Sequence, residues 1–221
     1  MYVKIKNFIL ELFFPSFCLN CQKLGHLLCK NCYNDLKFYF SQNKIQEIKS
    51  NLKVIYFDDL QIMAKFEGSL AKLIKALKYQ DSKNIAPLLS KMLWRHLIVP
   101  QVDFITFIPL HPYKLRARGY NQCQEIALEF GRLANTPVKN LLERTKNIKA
   151  QAKIKNQQER LQRMQNTFQI RSKYKDLIKN KTIILIDDVL TTGATLNAAS
   201  KTLKDSGAKA IFGLIVASKN E

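Results

Sequence analysis

The feature that most restricts the fold lies in the last third of the chain. Thr182-Ile183-Ile184-Leu185-Ile186 is a continuous apolar run with no polar face. A strand of that kind is covered on both sides, as in a parallel sheet. Asp187-Asp188-Val189-Leu190-Thr191-Thr192-Gly193-Ala194-Thr195 follows as a turn. A helix is expected from there to about Asp205, closed by Gly207 in a left-handed conformation, and a second buried strand over 210–216. Together these make a βαβ unit with a right-handed crossover. The expected fold class is α/β around a parallel sheet, and 221 residues suffice for one sizeable domain with a small appendage. With 47% hydrophobic and 24% charged residues, the chain is not a disordered or collagen-like polymer.

The turn carries ligand-type chemistry. It lies at the carboxyl end of a parallel strand, where open α/β sheets bind ligands. Thr191, Thr192 and Thr195 offer hydroxyls, Gly193 admits a close backbone, and the helix start supplies free N–H groups. These make a phosphate cradle. It is not a Walker loop, because GxxxxGK[ST] does not occur. Asp187 and Asp188 would be repelled by a bare phosphate, but they suit sugar hydroxyls together with Mg²⁺ or its waters. A ribose 5-phosphate unit satisfies both halves. The competing reading is a capping threonine beside two solvated acids.

Four of the five cysteines form Cys18-x-x-Cys21 and Cys29-x-x-Cys32. Each pair sits on a tight knuckle that directs two thiolates at one tetrahedral centre, so a structural zinc ion is expected. Disulfides do not suit a reducing cytosol and would leave one cysteine over. A redox CxxC needs only one pair. His26 would be a substitute ligand, but four thiolates already close the site. Cys123 reads as a small buried hydrophobe at the start of a helix.

Elsewhere, 54–57 and 62–66 read as a hairpin across Asp58-Asp59, and 69–79 and 84–98 as helices. Phe104 to Ile108 reads as a buried strand, followed by a basic loop and a helix over 121–134. Residues 141–151 show little periodicity, and 157–165 read as a charged helix. The expected division is an N-terminal module over 1–50, ending in a polar linker or helix from Ser41, and a larger domain over 51–221. The apolar stretch at 4–14 is too short and too interrupted by Glu11 for a secretory signal. It suits a helix docked on the body, or alternatively an interfacial membrane anchor. No spanning run occurs, so a cytoplasmic location is expected, with peripheral contact at the inner face of the membrane as a variant.

Charge is the compositional outlier: 36 Lys+Arg against 17 Asp+Glu give +19. That balance favours polyanionic partners. Single-stranded DNA binds through basic grooves and aromatic stacking, and the chain has 13 Phe, 8 Tyr and 1 Trp. Most of these rings belong in a core; Tyr33, Phe38, Tyr39 and Phe40 are the better stacking candidates.

The run "ILIDDVLTTGAT" resembles the signature that binds phosphoribosyl pyrophosphate (PRPP) in type I phosphoribosyltransferases. Together with CxxC…CxxC, "LIKALKY", "IPLHPYKLRARGYNQ", "LLERTKNIKAQAKIKNQQER" and "MQNTF", in that order, the chain resembles the ComF competence family past residue 15. The resemblance implies a Rossmann-like type I phosphoribosyltransferase domain with an N-terminal four-cysteine zinc finger. It implies a PRPP-binding loop of Asp187, Asp188, Val189, Leu190, Thr191, Thr192, Gly193, Ala194 and Thr195, with the acids on the ribose diol and Mg²⁺ carried by the ligand. It places the pyrophosphate loop at Lys114, Arg116, Arg118 and Gly119, and a mobile loop at Arg144, Lys146 and Lys149. It further implies a role in natural transformation, handling incoming single-stranded DNA beside other DNA-uptake or recombination proteins. The alternative is an active transferase with an unknown acceptor. Glutamine-dependent chemistry is not expected, since no glutaminase part with a nucleophilic cysteine is evident, and no catalytic residue can be named.

Overall fold

The apolar run at 182–186 becomes the middle of a sheet, flanked by strands on both edges. The structure, a computed structural model, describes residues 16–39, 52–79, 82–145 and 167–219. In chain order these form α1 (Lys30–Asn34), β1 (Asp59–Lys65), α2 (Gly68–Tyr79), α3 (Ile85–His96), β2 (Phe104–Phe107) and α4 (Pro112–Arg118). There follow α5 (Gln122–Ala134), β3 (Leu142–Arg144), β4 (Phe168–Ile170), β5 (Thr182–Leu190), α6 (Ala194–Asp205) and β6 (Ala210–Ser218). The expected N-terminal helix, residues 41–51 of the expected 41–53 linker, Phe40, Lys146, Lys149 and the 157–165 helix lie outside the described residues.

The sheet is parallel throughout, in the order β1-β6-β5-β2. Its pleat sorts side chains onto two layers. Ile184 and Ile186 join Met63, Leu214 and Val216 beneath α2, α3 and α5. Ile183 and Leu185 join Leu60, Ile62, Ile211 and Ile215 against Leu196, Ala199 and Leu203 of α6. Burial on both faces is why β5 needs an unbroken apolar sequence. Both sheet edges are covered. Along β1, Tyr39 N donates to Met63 O at 2.9 Å and Lys65 N to Lys37 O at 2.9 Å. Along β2, Ile105 N donates to Pro137 O at 3.0 Å and Lys139 N to Ile105 O at 2.9 Å.

Three expectations are corrected. The hairpin across Asp58-Asp59 does not form, and 54–57 adopt no strand. Asp58 instead anchors the start of β6: its N donates to Ile211 O at 2.8 Å and its Oδ2 accepts from Ile211 N at 2.7 Å. The neighbour of β1 is β6, so the pairing is remote in sequence and parallel. The basic loop after β2 contains α4, capped by His111, whose Nδ1 accepts from Tyr113 N, and closed by Gly119 at φ 80°. The aperiodic stretch from 141 begins with β3, paired antiparallel to β4 in a two-stranded ribbon. Gly207, as expected, is left-handed, at φ 91°.

Candidate functional site

Strand β5 continues through Asp187 and Asp188, so the acids leave from the strand itself rather than from the turn expected there. The chain bends after Leu190, and Gly193 takes φ 77° to start α6. No other residue type adopts that conformation as readily, and its missing side chain leaves the helix entrance open. Thr191 and Thr192 are exposed, and Ala194 and Thr195 half-buried, around that entrance.

Both acids are nearly closed off from solvent, at 9% and 4% exposure. Asp187 Oδ1 accepts from Asp188 N at 2.9 Å and from Cys123 Sγ at 3.4 Å. Burial, with the Asp188 charge added to it, pushes the Asp187 carboxyl up to about 7. Asp188 Oδ2 faces the Lys78 ammonium at 2.6 Å and accepts from Gln122 Nε2 at 3.1 Å. Burial pulls Lys78 down, but Asp188 outweighs it and the ammonium is held above its usual range. Cys123 is buried under the pair, and desolvation together with the two carboxylates drives its thiol far upward, towards the protonated form.

These contacts follow from short local devices. Asn121 caps α5 by accepting from Cys123 N at 2.9 Å, while its Nδ2 donates to Ile108 O at 3.0 Å just past β2. That double anchor sets Gln122 and Cys123 against the end of β5. Arg118 donates to Gln122 Oε1 and lies over the Tyr79 ring at 5.3 Å. A cavity of about 690 Å³ opens beside this chain of contacts, lined by Lys78, Tyr79, Tyr113, Lys114, Ala117, Arg118 and Gly119. The structure therefore joins Lys114, Arg118 and Gly119 to one cavity next to the acids, whereas Arg116 is exposed and outside its lining. Arg144, at the end of β3, is half-buried, with its guanidinium 5.4 Å over the Phe168 ring and its Nε without a partner. Burial lowers its pKa while the Asp187 charge opposes that shift.

Lys78 and Gln122 are absent from the sequence expectations. A weak signal exists for Lys78, which lies four residues beyond Ile74 and so on the buried stripe of its helix. Gln122 carries no signal beyond its place after a capping asparagine.

The N-terminal cysteines converge. The sulfurs of Cys18, Cys21, Cys29 and Cys32 all lie within 4.8 Å of one another, none is in a disulfide, and Cys21 and Cys29 are 3.5 Å apart. Four thiolates about 2.3 Å from one ion stand about 3.8 Å from each other, so the donor set fits tetrahedral zinc. Burial pushes the Cys18 thiol up, but the N–H groups of Cys21, Cys29 and Asn20 outweigh it and bring it down to about 6. Asn20 Nδ2 also donates to Cys32 Sγ at 3.3 Å. His26 is exposed and outside the cluster. Tyr33 and Phe38 turn inward: Tyr33 Oη is 2.6 Å from His96 Nε2, and Phe38 stacks on His96 at 3.9 Å. Among the described residues, no helix is long and apolar enough to cross a membrane.

The phosphoribosyl transferase domain family matches residues 136–221. Over 208 residues the chain is 27% identical to competence protein F of Haemophilus influenzae, covering 88% of this chain and 86% of the relative. It is 37% identical over 102 residues to competence protein ComFC of Streptococcus pneumoniae, covering 46% of this chain and 42% of that one. Among solved structures, glutamine PRPP amidotransferase from B. subtilis aligns at a TM-score of 0.42 and 18% identity. That alignment covers 59% of this chain and 25% of the amidotransferase.

Proposed function

We propose that this chain is a ComF-type competence protein with a phosphoribosyltransferase domain, a reading supported by its similarity to competence proteins F and ComFC and by the domain match over 136–221, and that it binds Mg²⁺–PRPP beside Asp187 and Asp188 while handling incoming single-stranded DNA. The observation that carries the reading is a buried acid pair joined through Lys78 to a cationic cavity, on the strand whose end leads into the left-handed Gly193 and the start of α6. In this reading the N–H groups of α6 and the hydroxyls of Thr191, Thr192 and Thr195 take the 5′-phosphate. Asp187 and Asp188 take the ribose diol. Lys114 and Arg118, with the backbone at Gly119, face the diphosphate, and Arg144, Lys146 and Lys149 close over the ligand. Magnesium, when bound with the ligand, neutralises part of the diphosphate charge. Zinc holds the four cysteines, and the division into a metal-folded module over 1–50 and a PRPP-binding part over 51–221 belongs to the same proposal. The +19 charge supports the DNA side of the reading.

The cavity cations also favour a second reading, an active transferase. There the bond from C1 to pyrophosphate breaks with its electron pair leaving on the pyrophosphate, and an acceptor nucleophile bonds to C1. Lys114 and Arg118 would stabilise the departing charge.

The deciding experiment measures PRPP binding and pyrophosphate release by zinc-loaded protein, with and without single-stranded DNA, nucleobases, ammonia and glutamine. The D187N/D188N double variant is the control. Saturable binding without release, lost in the double variant, is the expected result. Acceptor-dependent release would establish the transferase and name its substrate class. No binding, or equal binding by the double variant, would overturn the site. DNA affinity should fall steeply as salt rises, and an affinity insensitive to salt would remove the DNA half of the proposal.

A further inference from the structure

Lys78 is the last cation of α2, and its position serves two places at once. Its Nζ stands 2.6 Å from Asp188 Oδ2, with side-chain exposures of 20% for the lysine and 6% for the aspartate. The same side chain lines the 690 Å³ cavity, where Lys114 and Arg118 are its neighbours. It therefore stands on the boundary between the acids and the cavity. The acids, with Cys123, bring three ligand-type atoms within 4.8 Å of one another, a grouping able to hold a divalent ion. An ammonium in direct contact with one of those carboxylates opposes such an ion, because like charges a few ångströms apart repel strongly where water is scarce.

We propose that Lys78 is a resident counter-ion: it takes the cation's place on Asp188 in the unliganded protein, keeps bare divalent metal out, and moves onto the phosphates of an anion entering the adjoining cavity. Only the last clause rests on the PRPP reading. A lysine suits the task, since its charge is compact and its four-carbon stem is flexible. An anion in the cavity competes with Asp188 for the ammonium. As the ammonium leaves, Asp188 is freed for the metal that the anion brings. Metal and anion then bind with positive coupling, each raising the affinity of the other by the same factor. Lys78 is thus a positioning residue that sets the order of assembly. The sequence places it in "LIKALKY", a segment with no assigned part in the PRPP site described above.

The test uses Mn²⁺ as a paramagnetic probe of the full-length, zinc-loaded protein without any phosphate ligand. Free Mn²⁺ is read by electron paramagnetic resonance. Wild type should bind it weakly, and Lys78→Met and Lys78→Gln should bind it about tenfold or more tightly, on the order of the repulsion removed. Lys78→Arg keeps the charge and should exclude Mn²⁺ as wild type does. Adding Asp188→Asn to Lys78→Met should abolish the gain. Melting curves establish which variants are folded; if methionine is not tolerated, the glutamine and arginine variants decide the matter. Folded Lys78→Gln with wild-type Mn²⁺ affinity would overturn the proposal, as would tight binding by wild type itself. Mg²⁺–PRPP binding is measured in parallel. A gain in Mn²⁺ affinity without PRPP binding by wild type leaves the counter-ion standing and removes the PRPP reading. PRPP binding without the gain does the reverse.

Discussion

Asp187 is held in surroundings that favour its neutral form, and this has a consequence for stability. Its carboxyl, ordinarily near 3.8, is raised to about 7 by burial and by Asp188. The folded chain therefore binds more protons at this site than the unfolded chain between those two values. Stability from this group is full below about pH 4 and declines as pH rises towards 7. Asp187→Asn removes the ionisation. It should be more stable than wild type at pH 8, by on the order of 4 kcal/mol, with the difference fading near pH 4. Urea unfolding at both values checks this, and an equal gain at both would show that the charge is not the cause. The acids themselves were legible in the sequence, because a hydrophobic strand running into two acids, two threonines and a glycine has few structural uses. Lys78 and Gln122 were not, because each acts through a partner 110 and 66 residues away, counting from 78 and 122 to 188. No local pattern encodes such a meeting.

At the level of elements, α5 sets Gln122 and Cys123 against the acid pair and is itself held by a close approach at Gly131. A methyl group there would run into Val138 Cγ2 and stand 2.9 Å from Thr136 O. Those residues belong to the stretch that pairs with β2. Gly131→Ala should cost on the order of 1–3 kcal/mol, lowering the melting temperature by several degrees, whereas Leu128→Ala, at an exposed site on the same helix, should shift it far less. Equal shifts would mean that the contact yields freely. The helices α2 and α3 were readable from their apolar stripes, and α5 was expected over nearly its observed span. The hairpin was misjudged because two short apolar runs flanking Asp58-Asp59 satisfy the local rule, while the partner of β1 lies at the far end of the chain. Helix α4 escaped because it buries no residue and so has no stripe. Its start and stop were nonetheless visible as Pro112 after His111 and Gly119 after Arg118.

Across the whole molecule, the cysteine cluster and the sheet are tied by side chains. Tyr33, next to Cys32, meets His96 at the end of α3, and Lys72 of α2 donates to Asn20 O at 3.4 Å. Loss of a zinc ion held by the four cysteines would therefore be felt beyond residues 16–39. Cys29→Ser should bind no zinc and melt on the order of 5 °C lower or more, checked by metal analysis and calorimetry. A metal-free variant melting like wild type would mean that zinc is not structural here.

The short antiparallel pairing of Lys37 and Tyr39 against β1 has a further meaning for the life of the protein. Exposed strand borders are templates on which identical chains stack. The segment just after the cysteine cluster covers that border, and a chain lacking residues 1–39 should keep α2 to α6 yet elute as larger, concentration-dependent assemblies; elution at the size of wild type would show that the border needs no cover. A few residues outside the acid pair and its cavity thus close one border of the sheet, and with it the place where a second chain could add a strand.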